Sequence, residues 1–229
     1  MNNLNLKEIT EKLLDTFLEA GRVAREINQR GLKIETKTDN TPVTDGDLAV
    51  DKLLREKIAN LTPNLPIISE ETTNIALKNE NKTFWLIDPI DGTKEYIKKN
   101  DEYTLNAALI INLKPVIGVI YAPAKDRLFF SYGIGNSYEF SNGKKRILNC
   151  KKLNTKEVIA LVNSDKIHKE IINIHKKYEV TRTIKMSSSF KFCVLAAGEA
   201  DIYAAMARAF EWDIAAGHAI LENAGGSVA

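Results

Sequence analysis

In the segment WLIDPIDGTKEY an apolar run, Trp85 to Ile87, leads straight into Asp88, Pro89, Ile90, Asp91, Gly92 and Thr93. Two carboxylates at the exit of a strand, with a proline stiffening the turn between them, suit a hard divalent cation that prefers oxygen ligands and shares them with a substrate phosphate. The Gly92-Thr93 pair leaves backbone N–H groups open to close approach by an anion, so acid, turn and phosphate cradle arrive together. The competing reading is that Asp88-Pro89 and Asp91-Gly92 simply form turns, a common use of aspartate, and a bare DPxDG leaves the choice open. Further carboxylates change the balance. Glu70 and Glu71 follow the apolar stretch Leu65 to Ile68, so Glu70 also lies at a strand end, and Asp213 follows Trp212 at the start of a helix. Each alone is weak, because an exposed Glu pair is usually solvated and an Asp at a helix start is usually a cap.

The surrounding pattern supplies elements able to position these groups. From Ile9 the residues Leu13, Phe17, Ala20, Ala24 and Ile27 recur at three- and four-residue steps, which predicts one long helix ended by Gly31. After the extended piece LKIETK, the polar turn TDNTPVTDGD leads to a second helix, with Thr44 and Asp47 as a capping pair and Leu48, Leu53, Leu54 and Ile58 on its buried side. The runs PIIS, TFWLID, TLNAALII, PVIGVIYAP and RLFFSYG read as strands of a largely antiparallel sheet. Beyond the Asn142-Gly143 turn and a basic loop, Lys144 to Arg146, taken as solvated charge, strand and helix alternate: VIALV, DKIHKEIINIHKKY, VTRTIKM, SFKFCVLAAG, DIYAA and WDIAAGHAILENA. The expected organisation is an α+β part over residues 1–150 and an α/β part over 151–229.

With 229 residues, 44% apolar and 27% charged, the chain is an ordinary globular protein. Its 32 basic and 30 acidic residues are mixed along the sequence, so no face for nucleic acid is implied. Cys150 and Cys193 form neither a metal pair nor a disulfide framework, and the N-terminus lacks the apolar core of a secretory signal. These features point to a cytoplasmic protein without an integral membrane segment, and leave loose peripheral attachment at the inner membrane open.

Taken together, the motifs resemble the inositol monophosphatase superfamily: WLIDPIDGT its first signature, ISEE its upstream glutamate motif, WDIAAGHAILENAGG its C-terminal signature. TPVTDGD, DGTKEYIKKNDEYTLNAALI, GVIYAP and SSSFKFC are similar to its CysQ branch of 3'(2'),5'-bisphosphate nucleotidases. The resemblance implies a layered α-β-α-β-α sandwich, of mixed α+β and α/β class. It also implies two or three Mg²⁺ held by Glu70, Asp88, Asp91, the backbone carbonyl of Ile90, and Asp213. Asp47 and Thr93 match the pair that orients and helps deprotonate the attacking water, with Glu70 among the catalytic residues and Glu71 assisting. The N–H groups of Gly92 and Thr93 would hold phosphate, and Ser188, Ser189, Lys191 and Glu211 would line the substrate side. The serine run also reads as a helix cap. His218 falls near the last ligand, where a lone histidine is more often structural; His168 and His175 have no metal spacing. Two departures stand out: Ala205 occupies a position where the family often has arginine, and the chain stops at GGSVA where relatives continue, so that a terminal strand is expected to be missing.

The activity so implied is removal of the 3'-phosphate from adenosine 3',5'-bisphosphate, giving AMP and phosphate, by a lithium-sensitive monomer or homodimer. Inositol monophosphate, fructose bisphosphate and NADP are the competing substrates, and a silent relative that only binds nucleotide or metal is the competing class.

Overall fold

The apolar stripe read from Ile9 onward folds as helix α1 (Leu6–Arg30), which starts on the Asn5 side chain and ends at Gly31, whose φ of 101° few other residues adopt. The computed structural model describes residues 4–72, 82–150, 156–207 and 209–229. A short hairpin, β1 (Ile34–Thr36) and β2 (Pro42–Thr44), leads into α2 (Asp45–Leu61). Thr44 and Asp47 cap α2 reciprocally, as the sequence predicts, while β2 forms within a stretch whose polar sequence predicts only turn. Val50, Leu54 and Ile58 form the buried stripe of α2; Leu48, expected inside, is exposed, because its position in the first turn lies off that stripe.

Next follow β3 (Ile67–Ser69), β4 (Thr83–Asp91), the short α3 (Thr93–Ile97), β5 (Thr104–Ile111), β6 (Lys114–Ala122), β7 (Arg127–Ser131), β8 (Ser137–Ser141) and β9 (Lys144–Ile147). They make one seven-stranded sheet in the order β3-β4-β5-β6-β7-β8-β9, antiparallel except where β3 lies parallel to β4. The basic segment Lys144 to Arg146 is therefore an edge strand rather than a loop. Asn142 and Gly143, at φ of 51° and 71°, close the hairpin that carries it. All four β9 residues are exposed, which hides the strand from any apolar pattern, and charge on an edge discourages further pairing. Arg146 is not idle charge either: with Arg127 it pairs with Glu139 and Glu199.

The last part holds β10 (Ile159–Val162), α4 (Lys169–Lys177), β11 (Arg182–Lys185), α5 (Phe190–Ala196), β12 (Ile202–Tyr203) and α6 (Glu211–Asn223). These three strands form a parallel sheet in the order β11-β10-β12. The helix expected from Asp165 begins only at Lys169, with His168 as its N-cap, and the strand DIYAA shortens to two residues.

Alternation along β4 separates the two cores. Trp85 and Ile87 face α1 and α2, with Phe17, Leu13 and Leu54, whereas Leu86 faces α5 and α6, with Phe190, Cys193 and Ile220. The resulting layers are a helix pair, the large sheet, a second helix pair and the small sheet, with α4 as the crossover between β10 and β11, the sandwich expected from the sequence. Gly118 sets how closely α6 docks: a Cβ there would lie 2.2 Å from the carbonyl oxygen of Ala216, so helix and strand meet backbone to backbone. Among the described residues no helix is long and apolar enough to cross a membrane, and both cysteines are unpaired.

Candidate active site

Asp88 and Asp91 are three residues apart, a spacing that in a regular strand points side chains to opposite faces. In β4 the register slips: Asp88 pairs with Asn106 but Asp91 with Thr104, so three steps on one strand match two on the other. That bulge, at Pro89-Ile90, restores both carboxylates to one face. There they meet Asp213, the third residue of α6, with ligand-capable oxygens of the three all within 4.8 Å of one another. Asp213 spends one oxygen capping α6, accepting from the Phe210 N–H at 2.9 Å.

Glu70 joins from β3, its N–H extending the parallel ladder to the Ile87 carbonyl at 3.1 Å, and its carboxyl comes within hydrogen-bonding reach of Asp88. So many acids in one place resist ionisation. Burial, then the charges of Asp91, Glu70 and Asp213, push Asp88 well above the usual carboxylate range. Burial and Asp213 likewise raise Asp91 to about 6, and burial raises Asp213 and takes Glu71 to about 7. A positive side chain already answers part of this charge: Lys37, in the β1–β2 turn, places Nζ 2.8 Å from both Glu70 and Glu71. Its burial would lower its own pKa, but the two carboxylates prevail and raise it. Sequence reasoning missed Lys37, whose only signal is a lysine where β1 enters a polar turn.

Beside the cluster, Thr93 Oγ1 lies 3.2 Å from Asp47 Oδ1 and 3.1 Å from the Ile90 carbonyl oxygen. The other Asp47 oxygen accepts from the Thr44 N–H at 2.8 Å and from its hydroxyl at 2.5 Å, so the carboxylate cannot rotate. Burial raises the Asp47 pKa. Gly92 caps α3 at φ 91°, and a Cβ there would press to 2.9 Å from the Glu102 carbonyl oxygen, so the turn admits only glycine.

The substrate-side expectations divide. Ser188, half-buried at φ 54°, borders the cluster near Gly92. Ser189 is buried: its N–H donates to Asp91 Oδ2, and its hydroxyl lies 2.8 Å from Thr104 Oγ1 and 2.9 Å from Asn106 Oδ1. It braces the acids from behind. Lys191 is buried too, its Nζ 2.5 Å from the Ser188 carbonyl oxygen and 5.1 Å from the centre of the Tyr203 ring. Glu211 is exposed at the start of α6. His218 faces Glu222 at 3.1 Å along its own helix, the structural use expected of it.

All the ligand atoms gathered here are hard carboxylate oxygens. Asp88 Oδ1 is buried and, among the described residues, without a hydrogen-bond partner. An orphaned acceptor inside a cluster of mutually repelling acids is what a divalent cation would satisfy, so the donor set fits Mg²⁺.

This layered fold, with its acid cluster between two sheets, has relatives. The family model for the inositol monophosphatase family matches residues 5–229, and the chain belongs to that family. A relative from Buchnera aphidicola named 3'(2'),5'-bisphosphate nucleotidase CysQ is 35% identical over 97% of this chain and 86% of its own. The Escherichia coli K12 protein of the same name is 32% identical over 86% of this chain and 79% of its own. Among solved structures, CysQ from Bacteroides thetaiotaomicron superposes with a TM-score of 0.77 at 31% identity, covering 98% of this chain and 89% of that one. An inositol monophosphatase from Anabaena, TM-score 0.76 at 23% identity over 96% of this chain and 83% of its own, shares the fold.

Proposed function

We propose that this protein is a magnesium-dependent phosphatase that removes the 3'-phosphate of adenosine 3',5'-bisphosphate, giving AMP and phosphate. The observation that carries the reading is the convergence of Asp88 and Asp91 on β4 with Asp213 on α6, far apart in the chain, on one point. Relatives named as bisphosphate nucleotidases, alike over most of the chain, support the choice of substrate.

In this reading Glu70, Asp88, Asp91, Asp213 and the carbonyl of Ile90 hold two or three Mg²⁺, with Glu71 close by. Bound magnesium neutralises phosphate charge and lowers the pKa of water. The protein supplies the rest. Thr93 already donates toward Asp47 Oδ1, so its oxygen keeps lone pairs with which to accept a proton from the attacking water while its own proton moves to Asp47. A carboxylate with a raised pKa is a competent base for this step. The N–H groups of Gly92 and Thr93 hold phosphate oxygens. The adenosine part of the leaving AMP is assigned to a cavity of about 170 Å³ at the carboxyl ends of β10 and β12, where open parallel sheets take their ligands. Asn163, His168, Tyr203 and Ala205 line it, and Lys191 Nζ lies 5.1 Å from the centre of the Tyr203 ring; Ser188 and Glu211 are assigned to the substrate side by the family resemblance alone.

Phosphate release over a panel of adenosine 3',5'-bisphosphate, inositol monophosphate, fructose bisphosphate and NADP, with Mg²⁺ and with or without lithium, tests this. Release from the nucleotide bisphosphate at the highest kcat/KM, lost in EDTA, is expected. Preferred release from an inositol or sugar phosphate would move the substrate, and retained nucleotide binding without release would make the chain a binding relative.

A further inference from the structure

Behind the acids lies a layer of polar groups that an apolar strand has no structural need to carry. Thr104 and Asn106 interrupt β5 at 0% and 1% exposure, and they are the cross-strand partners of Asp91 and Asp88. Directly paired residues of an antiparallel pair share a face, with Cβ atoms about 4.5–5.5 Å apart. Each of the two acids therefore has a hydrogen-bonding side chain at its flank.

The bonding within this layer has a direction. The Ser189 hydroxyl donates to Asn106 Oδ1, so its one proton is spent and Thr104 Oγ1 must donate to it in turn. The chain Thr104 to Ser189 to Asn106 thus fixes the amide by its oxygen and turns its Nδ2 away from Ser189. That Nδ2 is buried with no partner among the described residues, and so is Asp88 Oδ1. One orphaned donor and one orphaned acceptor sit on register-paired residues.

We infer that Asn106 is the positioning residue of Asp88 when a cation is bound: with one carboxylate oxygen committed to the cation, the other turns to accept from the Asn106 amide, which has no other partner among the described residues, with Ser189 and Thr104 holding the amide in that orientation. This rests on the reading that the cluster binds a divalent cation. It also gives Ser189 a role distinct from the substrate contact expected of it, since the same residue braces Asp91 through its N–H and Asp88 through Asn106. Outer partners of this kind typically matter about 10- to 100-fold in metal affinity.

The test measures Mg²⁺ binding by titration calorimetry and thermal unfolding in EDTA, for wild type, Asn106→Leu and Ser189→Ala. Wild type without Mg²⁺ binding would overturn the cation reading itself. With wild type binding, Asn106→Leu should weaken Mg²⁺ by about 10- to 100-fold. Its EDTA midpoint should fall by no more than about 4 °C, because an unmade donor is lost along with the amide. Ser189→Ala should show a smaller loss of affinity in the same direction. Wild-type Mg²⁺ affinity in Asn106→Leu overturns the inference, as does a loss of EDTA stability with affinity unchanged. Should Asn106→Leu fail to fold, wild-type affinity in Ser189→Ala does so in its place.

Discussion

The acidic centre stands on two unlike supports. On the side of the large sheet, Asp88 and Asp91 sit on β4, an inner strand whose Trp85 to Ile90 stretch is buried throughout, with Trp85 and Ile87 at 0% exposure. On the side of the small sheet, β11 is almost wholly exposed, β12 has two residues, and α4 buries little beyond His175. Stiff packing belongs to the half that carries the charges and the lighter half to the cavity proposed for the leaving group. That division suits a phosphatase. Ligand oxygens must hold their places without the cation, whereas the substrate side need only shape a cleft.

The contrast can be broken most forcefully at Asp91. Asp91→Asn removes one ligand charge from the stiff half, and phosphate release should fall about 10³-fold or more, as expected for several kcal/mol of lost charge stabilisation. In EDTA the same variant should unfold no earlier than wild type, since it relieves repulsion among acids; wild-type rates would remove Asp91 from the centre.

Packing offers the next test. Trp85→Ala should cost about 3–5 kcal/mol, because it empties a fully buried site and strands the Thr62 hydroxyl that accepts the indole N–H. Ile184→Ala, at the half-buried position of the otherwise exposed β11, should cost no more than about 2 kcal/mol. Equal losses in denaturant titration would erase the difference between the halves.

A smaller effect follows pH. Glu71, near 7, and Asp91, near 6, titrate above ordinary carboxylates chiefly through burial. The metal-free folded state therefore binds protons more tightly than the unfolded chain. Its advantage is complete below the unfolded values near 4 and disappears as pH rises through 6 to 7. Unfolding in EDTA should thus occur about 4 °C or more lower at pH 8 than at pH 5, and Mg²⁺ should restore the loss at pH 8. A flat profile would mean that these acids are solvated. Least of all, Leu48→Ser should change stability by less than about 0.5 kcal/mol, because that side chain is exposed.

Elements with a buried face were legible in the sequence. The stripe of α1, the apolar runs of β4 to β7 and the small-residue helix α6 each announce themselves through what they hide. What escaped has no buried face or no period: β9, exposed throughout; β2, three residues inside a polar turn; and Leu48, apolar but off the stripe. The same holds in the site. The carboxylates stand out because acids at strand ends are conspicuous, and Asp47 with Thr93 because they match family motifs. Thr104 and Asn106 were overlooked, although two polar residues alternating within TLNAALII were a signal that one face of that strand meets something other than apolar core. Ser189 was given a contact with substrate because the pattern SSS shows only that hydroxyls are present, and their direction depends on β5.

The close rest of α6 on Gly118 bears on how the molecule is made. Asp213 is the final acid of the centre to leave the ribosome, and it reaches its neighbours only when its helix has settled against β6. On the proposed assignment, the complete ligand set for magnesium exists only once that helix has docked, so retention of the ion reports that it has seated.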